Sequence, residues 1–224
     1  MSKGFSLIVF LSVFLLNMAS SFASDYILCL RARGHLGEEL CTYWHAVKKN
    51  HDINHDAIKH FPPHCSLTGF FPKVDSKETY IQAVEQALQQ HERAIKSITI
   101  NGLVQGSEKA KLDYIKLTSA YLFAVTRTFI NIAAIPQRHL KDPHDFPYHI
   151  TLRDHVFHHD VEKKLKKIQS LERKINLSAQ VSWSLFLYER HDDHDERHDD
   201  HHERHDDHKL RVIHEFPLHF VVIL

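Results

Sequence analysis

Two histidines in this sequence each stand two positions before a hydroxyl side chain, His64 before Ser66 and His149 before Thr151. Because side chains alternate between the two faces of a β-strand, each histidine would share a face with its hydroxyl if both segments are strands. Histidine titrates near neutral pH, so one imidazole can accept a proton while a second, protonated imidazole donates one. Two such pairs in one site would therefore suit general acid–base catalysis.

Displacement at a phosphate ester matches this set of groups. One histidine would deprotonate the attacking hydroxyl or water, and the other would protonate the leaving oxygen. The hydroxyl groups of Ser66 and Thr151 would donate hydrogen bonds to the non-bridging phosphate oxygens, where negative charge accumulates. This layout requires no metal and no cofactor, and it leaves open which histidine is the base.

The two motifs belong to a longer repeat. Residues 61–67 read FPPHCSL and residues 146–152 read FPYHITL, and both fit the pattern F-P-x-H-x-[S/T]-L. Strand-like segments that begin at Tyr26 and Tyr114 precede the two motifs at similar distances. A single H-x-[S/T] triplet carries little information, but agreement at several offsets predicts a duplicated strand–helix–strand unit.

The hydrophobic pattern predicts the elements that would position these motifs. Predicted strands cover residues 25–32, 64–71, 94–104, 111–118, 148–153, 180–188 and 210–216, with the last two forming a hairpin. Predicted helices cover residues 36–49 and 121–134, and two more follow Asp75 and Asp160, which lie eleven residues after their respective histidines. The sequence Asp75-Ser76-Lys77-Glu78 has the spacing of a capping box, and we expect Asp75 to cap its helix.

The paired motifs resemble those of the 2H phosphoesterase superfamily, which includes cyclic phosphodiesterases and LigT-like RNA 2′,3′-cyclic phosphodiesterases. The resemblance covers residues 26–217, and the segment LFLYER at residues 185–190 is similar to the closing strand of that family. It implies that the catalytic residues are His64, Ser66, His149 and Thr151. It also implies a metal-independent phosphodiesterase that acts on 2′,3′-cyclic phosphates or related RNA phosphodiesters, with a nucleotide or RNA as partner.

Residues 190–208 repeat a seven-residue unit that begins Arg-His-Asp-Asp-His. The tract contains nine acidic residues, three arginines and no apolar residue, so it cannot form a core, and we expect a disordered, solvated insertion. Imidazole and carboxylate groups suit zinc, nickel or copper, so weak binding of divalent metal ions is a second expectation for the tract. The total net charge is zero, which leaves a mildly basic body that suits a phosphorylated substrate.

The first 23 residues have the pattern of a signal peptide. Lys3 precedes an apolar run over residues 5–18, and Ser21 and Ala23 supply the small residues of a cleavage site. We therefore expect a secreted or periplasmic protein with no membrane association after cleavage, rather than one held by an uncleaved anchor. The three cysteines allow at most one intramolecular disulfide, and their spacing selects no pair.

Together these patterns predict an α+β fold with two pseudo-twofold lobes, in which antiparallel-rich sheets line a central cleft and helices lie outside. We expect one domain over residues 24–217, with lobes at about 24–107 and 108–217, a tail at 218–224, and a monomeric protein. Two other functions stay open at this point. The protein could be an exported, metal-sequestering protein that works through its histidine–aspartate tract, or a module that binds nucleotides or RNA without turnover.

Overall fold

The computed structural model describes residues 25–49, 62–105, 112–144, 147–154, 169–191 and 209–218. The elements in chain order are β1 (Asp25–Arg33), α1 (Gly34–Lys48), β2 (Cys65–Ser66), β3 (Phe71–Pro72), α2 (Lys77–Gln90), β4 (Thr99–Val104), β5 (Leu112–Thr118), α3 (Ala120–Ile132), a 3₁₀ turn (Gln137–His139), β6 (His149–Asp154), β7 (Ser182–His191) and β8 (Lys209–Leu218). Each of these α-helices and strands overlaps a predicted element of the same type, and the 3₁₀ turn was not predicted.

The strands form two antiparallel sheets. The larger sheet has the order β2-β1-β7-β8, with β3 also pairing to β1, and the smaller sheet has the order β4-β5-β6. Every pairing among these named strands is antiparallel. The predicted α+β class with antiparallel sheets is therefore confirmed.

Strand β1 shows how the larger sheet divides its two faces. Leu28 and Leu30 are fully buried in the main core, whereas Ile27 and Cys29 belong to a second, smaller apolar cluster with Phe186 of β7. This alternation is the period of two that a pleated strand imposes on its side chains. The face that carries the smaller cluster is the one that matters for the site, because Ser66 lies on it opposite Cys29.

The main core joins both sheets to the helices. Buried side chains of the smaller sheet, such as Ile115 and Ile150, belong to the same cluster as Leu28 and Leu30. Helices α2 and α3 pack against each other, and the rings of Phe71 in β3 and Phe129 in α3 meet edge to face at 5.9 Å. The two sheets therefore share one hydrophobic core, and their relative position is fixed by ordinary side-chain packing.

A tight corner joins β1 directly to α1. Gly34 has φ +68°, in the left-handed region where residues with a side chain are strained. A Cβ at Gly37 would lie 2.6 Å from the carbonyl oxygen of Ala32, so the first turn of the helix crosses the end of the strand at a distance only glycine allows. The two glycines thereby hold α1 against the strand that supports β2.

Two local predictions are wrong. The helix at Lys77–Gln90 is capped by Ser76, whose side chain accepts a hydrogen bond from the Thr79 backbone N–H, and not by Asp75. The strand predicted at residues 64–71 is split into β2 and β3. Between them the backbone N–H groups of Leu67 and Thr68 both donate to the Leu28 carbonyl of β1, and Gly69 N–H then donates to the His139 carbonyl at 2.7 Å.

Sheet membership cuts across the two lobes expected from sequence order. Strand β4, before residue 107, pairs with β5 in the smaller sheet, while the hairpin of β7 and β8 completes the sheet that begins with β1. The domain limits themselves stay a prediction.

Several predictions concern segments outside the described residues: the signal peptide, the Asp160 cap, residues 192–208 of the tract and residues 219–224. Within the described ranges, no helix is both long and apolar enough to cross a membrane.

Candidate active site

His64 stands at the start of β2, which pairs antiparallel with β1. Leu30 lies opposite Cys65 and Cys29 lies opposite Ser66, so Cys65 turns into the main core and Ser66 turns to the other face. His64 and Ser66 are both partly buried. The first motif therefore has the alternation predicted from its sequence.

His149 begins β6, and its motif repeats this arrangement in the smaller sheet. Ile150 and Leu152 are buried in the core, while His149 and Thr151 are partly buried on the opposite face. The neighbouring strand β5 places Lys116 opposite His149 and Tyr114 opposite Thr151. The Tyr114 ring meets the His149 ring edge to face, with centroids 5.3 Å apart.

The structure brings the two motifs together. Strands β2 and β6 lie next to each other, although they belong to different sheets. The backbone of His149 hydrogen-bonds the thiol group of Cys65, and this bond opposes the burial that raises the pKa of Cys65 to about 12. The charge of His149 also acts on His64. The histidines thus lie on one shared site and not on opposite surfaces of the molecule.

The same hydrogen bond orients both histidines. Nδ1 of His64 lies 2.9 Å from the carbonyl oxygen of Pro62, and Nδ1 of His149 lies 2.9 Å from the carbonyl oxygen of Pro147. A carbonyl oxygen can only accept a hydrogen bond, so Nδ1 must carry the proton in both rings. Nε2 is then the atom that gains or loses a proton during titration, as a general acid or base requires.

Burial keeps both imidazoles close to their neutral form. Burial lowers the pKa of His64, the bond to Pro62 opposes this, and the charges of Arg31 and His149 lower the pKa further. Burial likewise lowers the pKa of His149, against the bond to Pro147, and the charge of Lys141 adds to the lowering. The repulsion between the two rings also means that protonation of one disfavours protonation of the other, which favours a pair holding a single proton.

Lys141 reaches the site because its segment crosses between the two motifs. Its backbone N–H donates to the carbonyl oxygen of Leu67 at 3.2 Å, and Leu140 forms an isolated antiparallel bridge with Thr68. Thr68 is fully buried, and its Oγ1 accepts a hydrogen bond from the backbone N–H of Leu28 at 3.0 Å. This segment ties the first motif both to β1 and to the loop that precedes the second motif.

All four residues predicted to be catalytic lie on the same side of their strands, and their catalytic roles stay a prediction. The sequence pattern did not reveal that the carbonyl oxygens of Pro62 and Pro147 orient the histidines. It also missed Arg31 and Tyr114. The repeat contained a signal for Arg31, because Arg31 and Lys116 are separated by the same number of positions as His64 and His149.

Weak metal binding was the other expectation about chemistry, and the sequence left open whether one disulfide forms. Among the described residues, no group of three or more His, Cys, Asp or Glu side chains is arranged to hold a metal ion. Most of the histidine–aspartate tract lies outside those residues, so its metal binding stays a prediction. Cys29, Cys41 and Cys65 are all described, and they are free thiols.

The two H-x-[S/T] motifs thus lie on neighbouring strands of two different antiparallel sheets. The sequence matches no protein-family model and no curated protein. Among solved structures, the chain is similar to E. coli LigT complexed with 3′-AMP, with a TM-score of 0.41, 12% identity, and coverage of 88% of this chain and 98% of that chain. A crystal structure described as a phosphoesterase gives a TM-score of 0.40, 11% identity and coverage of 88% and 98%.

Proposed function

We propose that this protein is a metal-independent phosphodiesterase that acts on 2′,3′-cyclic phosphates or related RNA phosphodiesters. The observation that carries the proposal is the matched pair of histidines, each held at Nδ1 by a proline carbonyl and each two positions from a hydroxyl on the same face. The duplication supports a site that uses two equivalent proton-transfer groups.

The proposed reaction moves protons through Nε2 of both rings. The neutral histidine takes a proton from the attacking water as its oxygen forms a bond to phosphorus. The protonated histidine gives its proton to the ribose oxygen as the bond from phosphorus to that oxygen breaks. The cyclic diester becomes a monoester, and the two histidines exchange protonation states, which solvent then resets. Ser66 and Thr151 would stabilise the non-bridging oxygens, each by about 3 kcal/mol if they act as oxyanion-hole donors do.

The experiment compares purified protein with single variants on 2′,3′-cyclic nucleotides and short RNAs, with and without EDTA. His64→Ala and His149→Ala should each lower kcat by about 10²- to 10⁴-fold, the usual contribution of one general acid or base. His35→Ala is a matched control, because His35 is an exposed histidine on α1 whose partners are Glu38 and Glu39. It should keep wild-type kcat, and EDTA should not change the rate of any active variant.

Other outcomes would select a different function. Turnover that EDTA abolishes would point to a metalloenzyme, and tight metal binding without turnover would point to a sequestering protein. Binding of 3′-AMP, the nucleotide bound in the LigT structure, without any product would point to a nucleotide-binding module. Equal loss of activity in His35→Ala and His64→Ala would indicate a general effect on folding and would contradict the assignment.

We also propose that the protein is exported. The support is the sequence pattern of residues 1–23, with Lys3 before an apolar run and Ser21 and Ala23 at the cleavage site. N-terminal sequencing of the protein recovered outside the cytosol should begin at Ser24. Recovery of only the uncleaved chain inside cells would contradict export.

A further inference from the structure

Arg31 lies beside the first histidine on the face that carries the site. Cys29 is opposite Ser66 in the pairing of β1 with β2, and Arg31 is two positions further along β1, so its side chain is on the same face of the sheet as Ser66. Its positive charge contributes to the lowered pKa of His64. The residue therefore belongs to the surroundings of the proposed reaction centre.

The Arg31 side chain is held in place by two aromatic residues of the neighbouring strand β7. Its Nη1 donates a hydrogen bond to the hydroxyl oxygen of Tyr188 at 3.2 Å, and its guanidinium carbon lies 5.1 Å from the centre of the Phe186 ring. Both partners are buried aromatic residues of β7. A guanidinium that is already ordered in this way loses little conformational entropy when it binds a ligand.

Arg31 differs from the other arginines of this face in its charge balance. Arg33 forms two hydrogen bonds to the carboxylate of Glu215, at 3.0 and 2.6 Å, and Arg190 pairs with Asp25 at 2.5 Å. Arg31 forms no direct ion pair with a carboxylate among the described residues, although its charge helps to lower the pKa of Glu215, and within that part of the chain its buried Nε has no hydrogen-bond partner. A buried donor without a partner is costly, and an anion bound at this position would remove the cost.

The second lobe carries a cation at the equivalent position. Lys116 lies directly opposite His149 in the pairing of β5 with β6, on the face that carries Thr151. Arg31 has the equivalent position in the first lobe. Cys29 lies opposite Ser66 and Arg31 follows Cys29 by two positions, whereas Tyr114 lies opposite Thr151 and Lys116 follows Tyr114 by two positions. The duplicated unit thus places one histidine, one hydroxyl and one cation at the same register in each sheet.

We propose that Arg31 is a substrate-binding residue that recognises the phosphate group of the ligand, with its guanidinium donating hydrogen bonds to a non-bridging oxygen beside His64. The inference rests on the proposed function, because it names the group that selects an anionic phosphodiester for the two histidines. A guanidinium suits this task, because its planar set of donors matches the oxygens of a phosphate. Arg33 does not take this role, because Glu215 already occupies its donors.

The test measures the binding of inorganic phosphate and of 3′-AMP by titration calorimetry at low ionic strength, for wild type, Arg31→Met, Arg31→Lys and Arg33→Met. Arg31→Met should weaken phosphate binding by about 10- to 100-fold, the effect of losing a charge-assisted hydrogen bond. Arg31→Lys should recover part of the affinity, because it keeps the charge but not the planar fork. Arg33→Met is the matched control and should bind phosphate like the wild type, since it removes a neighbouring arginine of the same face.

A second readout separates binding from a structural role. Thermal unfolding should show Arg31→Met folded at the assay temperature, and NMR titration should show a higher pKa of His64 in this variant because a nearby positive charge is gone. Unchanged phosphate affinity in Arg31→Met, an equal loss in Arg33→Met, or no phosphate binding by the wild type would each overturn the proposal. Phosphate binding that depends on Arg31 in a protein without turnover would support the assignment while refuting the enzymatic function. Normal turnover by Arg31→Met would support the enzymatic function while refuting the role of Arg31.

Discussion

Thr68 should be a stability-determining residue of the site, although it takes no part in the proposed chemistry. Residues 67–70 interrupt the pairing between β1 and its neighbours β2 and β3, and in this gap the Thr68 hydroxyl oxygen accepts the hydrogen bond of the Leu28 backbone N–H at 3.0 Å. Both residues are fully buried. Thr68→Val keeps the shape of the side chain but leaves the Leu28 N–H buried without its acceptor.

The cost follows from that unsatisfied donor. A buried polar group that loses its partner costs about 1–3 kcal/mol, and the near-equal volume of valine adds little cavity cost. For a domain of this size, about 2 kcal/mol corresponds to a Tm lowered by about 4–8 °C. The kcat/KM of the folded variant should also fall, because Leu67 and Thr68 hold the strand that carries His64 onto β1.

The assay is urea unfolding followed by circular dichroism, with Thr42→Val as the control. The Thr42 hydroxyl also donates a hydrogen bond, to the Glu38 carbonyl oxygen at 2.9 Å, but this group is exposed on α1. In Thr42→Val, water can therefore donate to the Glu38 carbonyl oxygen in place of the lost hydroxyl. This control should change the free energy of unfolding by less than about 0.5 kcal/mol. If Thr68→Val were as stable as Thr42→Val, the reasoning about the gap in β1 would be refuted.

Three further predictions concern the pH dependence of activity, the pH dependence of stability and the histidine–aspartate tract. The plot of kcat/KM against pH should be bell-shaped with its maximum below pH 6.5. The reason is that the pKa values of His64 and His149 are both lowered from 6.5 and that the reaction needs one proton on the pair. A maximum above pH 7 would contradict this prediction. The unfolded chain binds more protons at these two positions, so the free energy of unfolding should decrease as the pH falls below about 6.5, less steeply in the double variant His64→Ala/His149→Ala. Deletion of residues 192–208 should abolish retention on a nickel column while kcat stays at the wild-type value; retention of the deletion variant would place the metal-binding groups elsewhere in the chain.

Local patterns predicted the motifs well because the alternation of a strand is a local property. The buried pair Cys65 and Leu67 and the buried pair Ile150 and Leu152 follow directly from the order of apolar and polar residues. The helix cap was assigned one residue early, since Asp75 and Ser76 are both good caps and only the backbone geometry decides between them.

The remaining features depend on contacts between distant segments. The break between β2 and β3 arises from hydrogen bonds to residues 139–141, which no pattern within residues 64–71 contains. The place of Arg31 next to His64 likewise depends on the register between β1 and β2. Sequence periodicity cannot supply such registers, because it describes the faces of one strand and not the identity of its neighbour.

The central place of β1 has a consequence for how the molecule is made. Asp25–Arg33 pairs along its whole length with β7, so that Tyr26 and Glu189, which lie opposite each other, are 163 positions apart. Contacts over such distances close late and slow the search for the native state. A nascent chain that has reached only residue 181 would contain all four proposed catalytic side chains but would lack the strand that flanks the support of the first histidine. The ribosome therefore completes both motifs before it completes the strand that is needed to assemble them into one site.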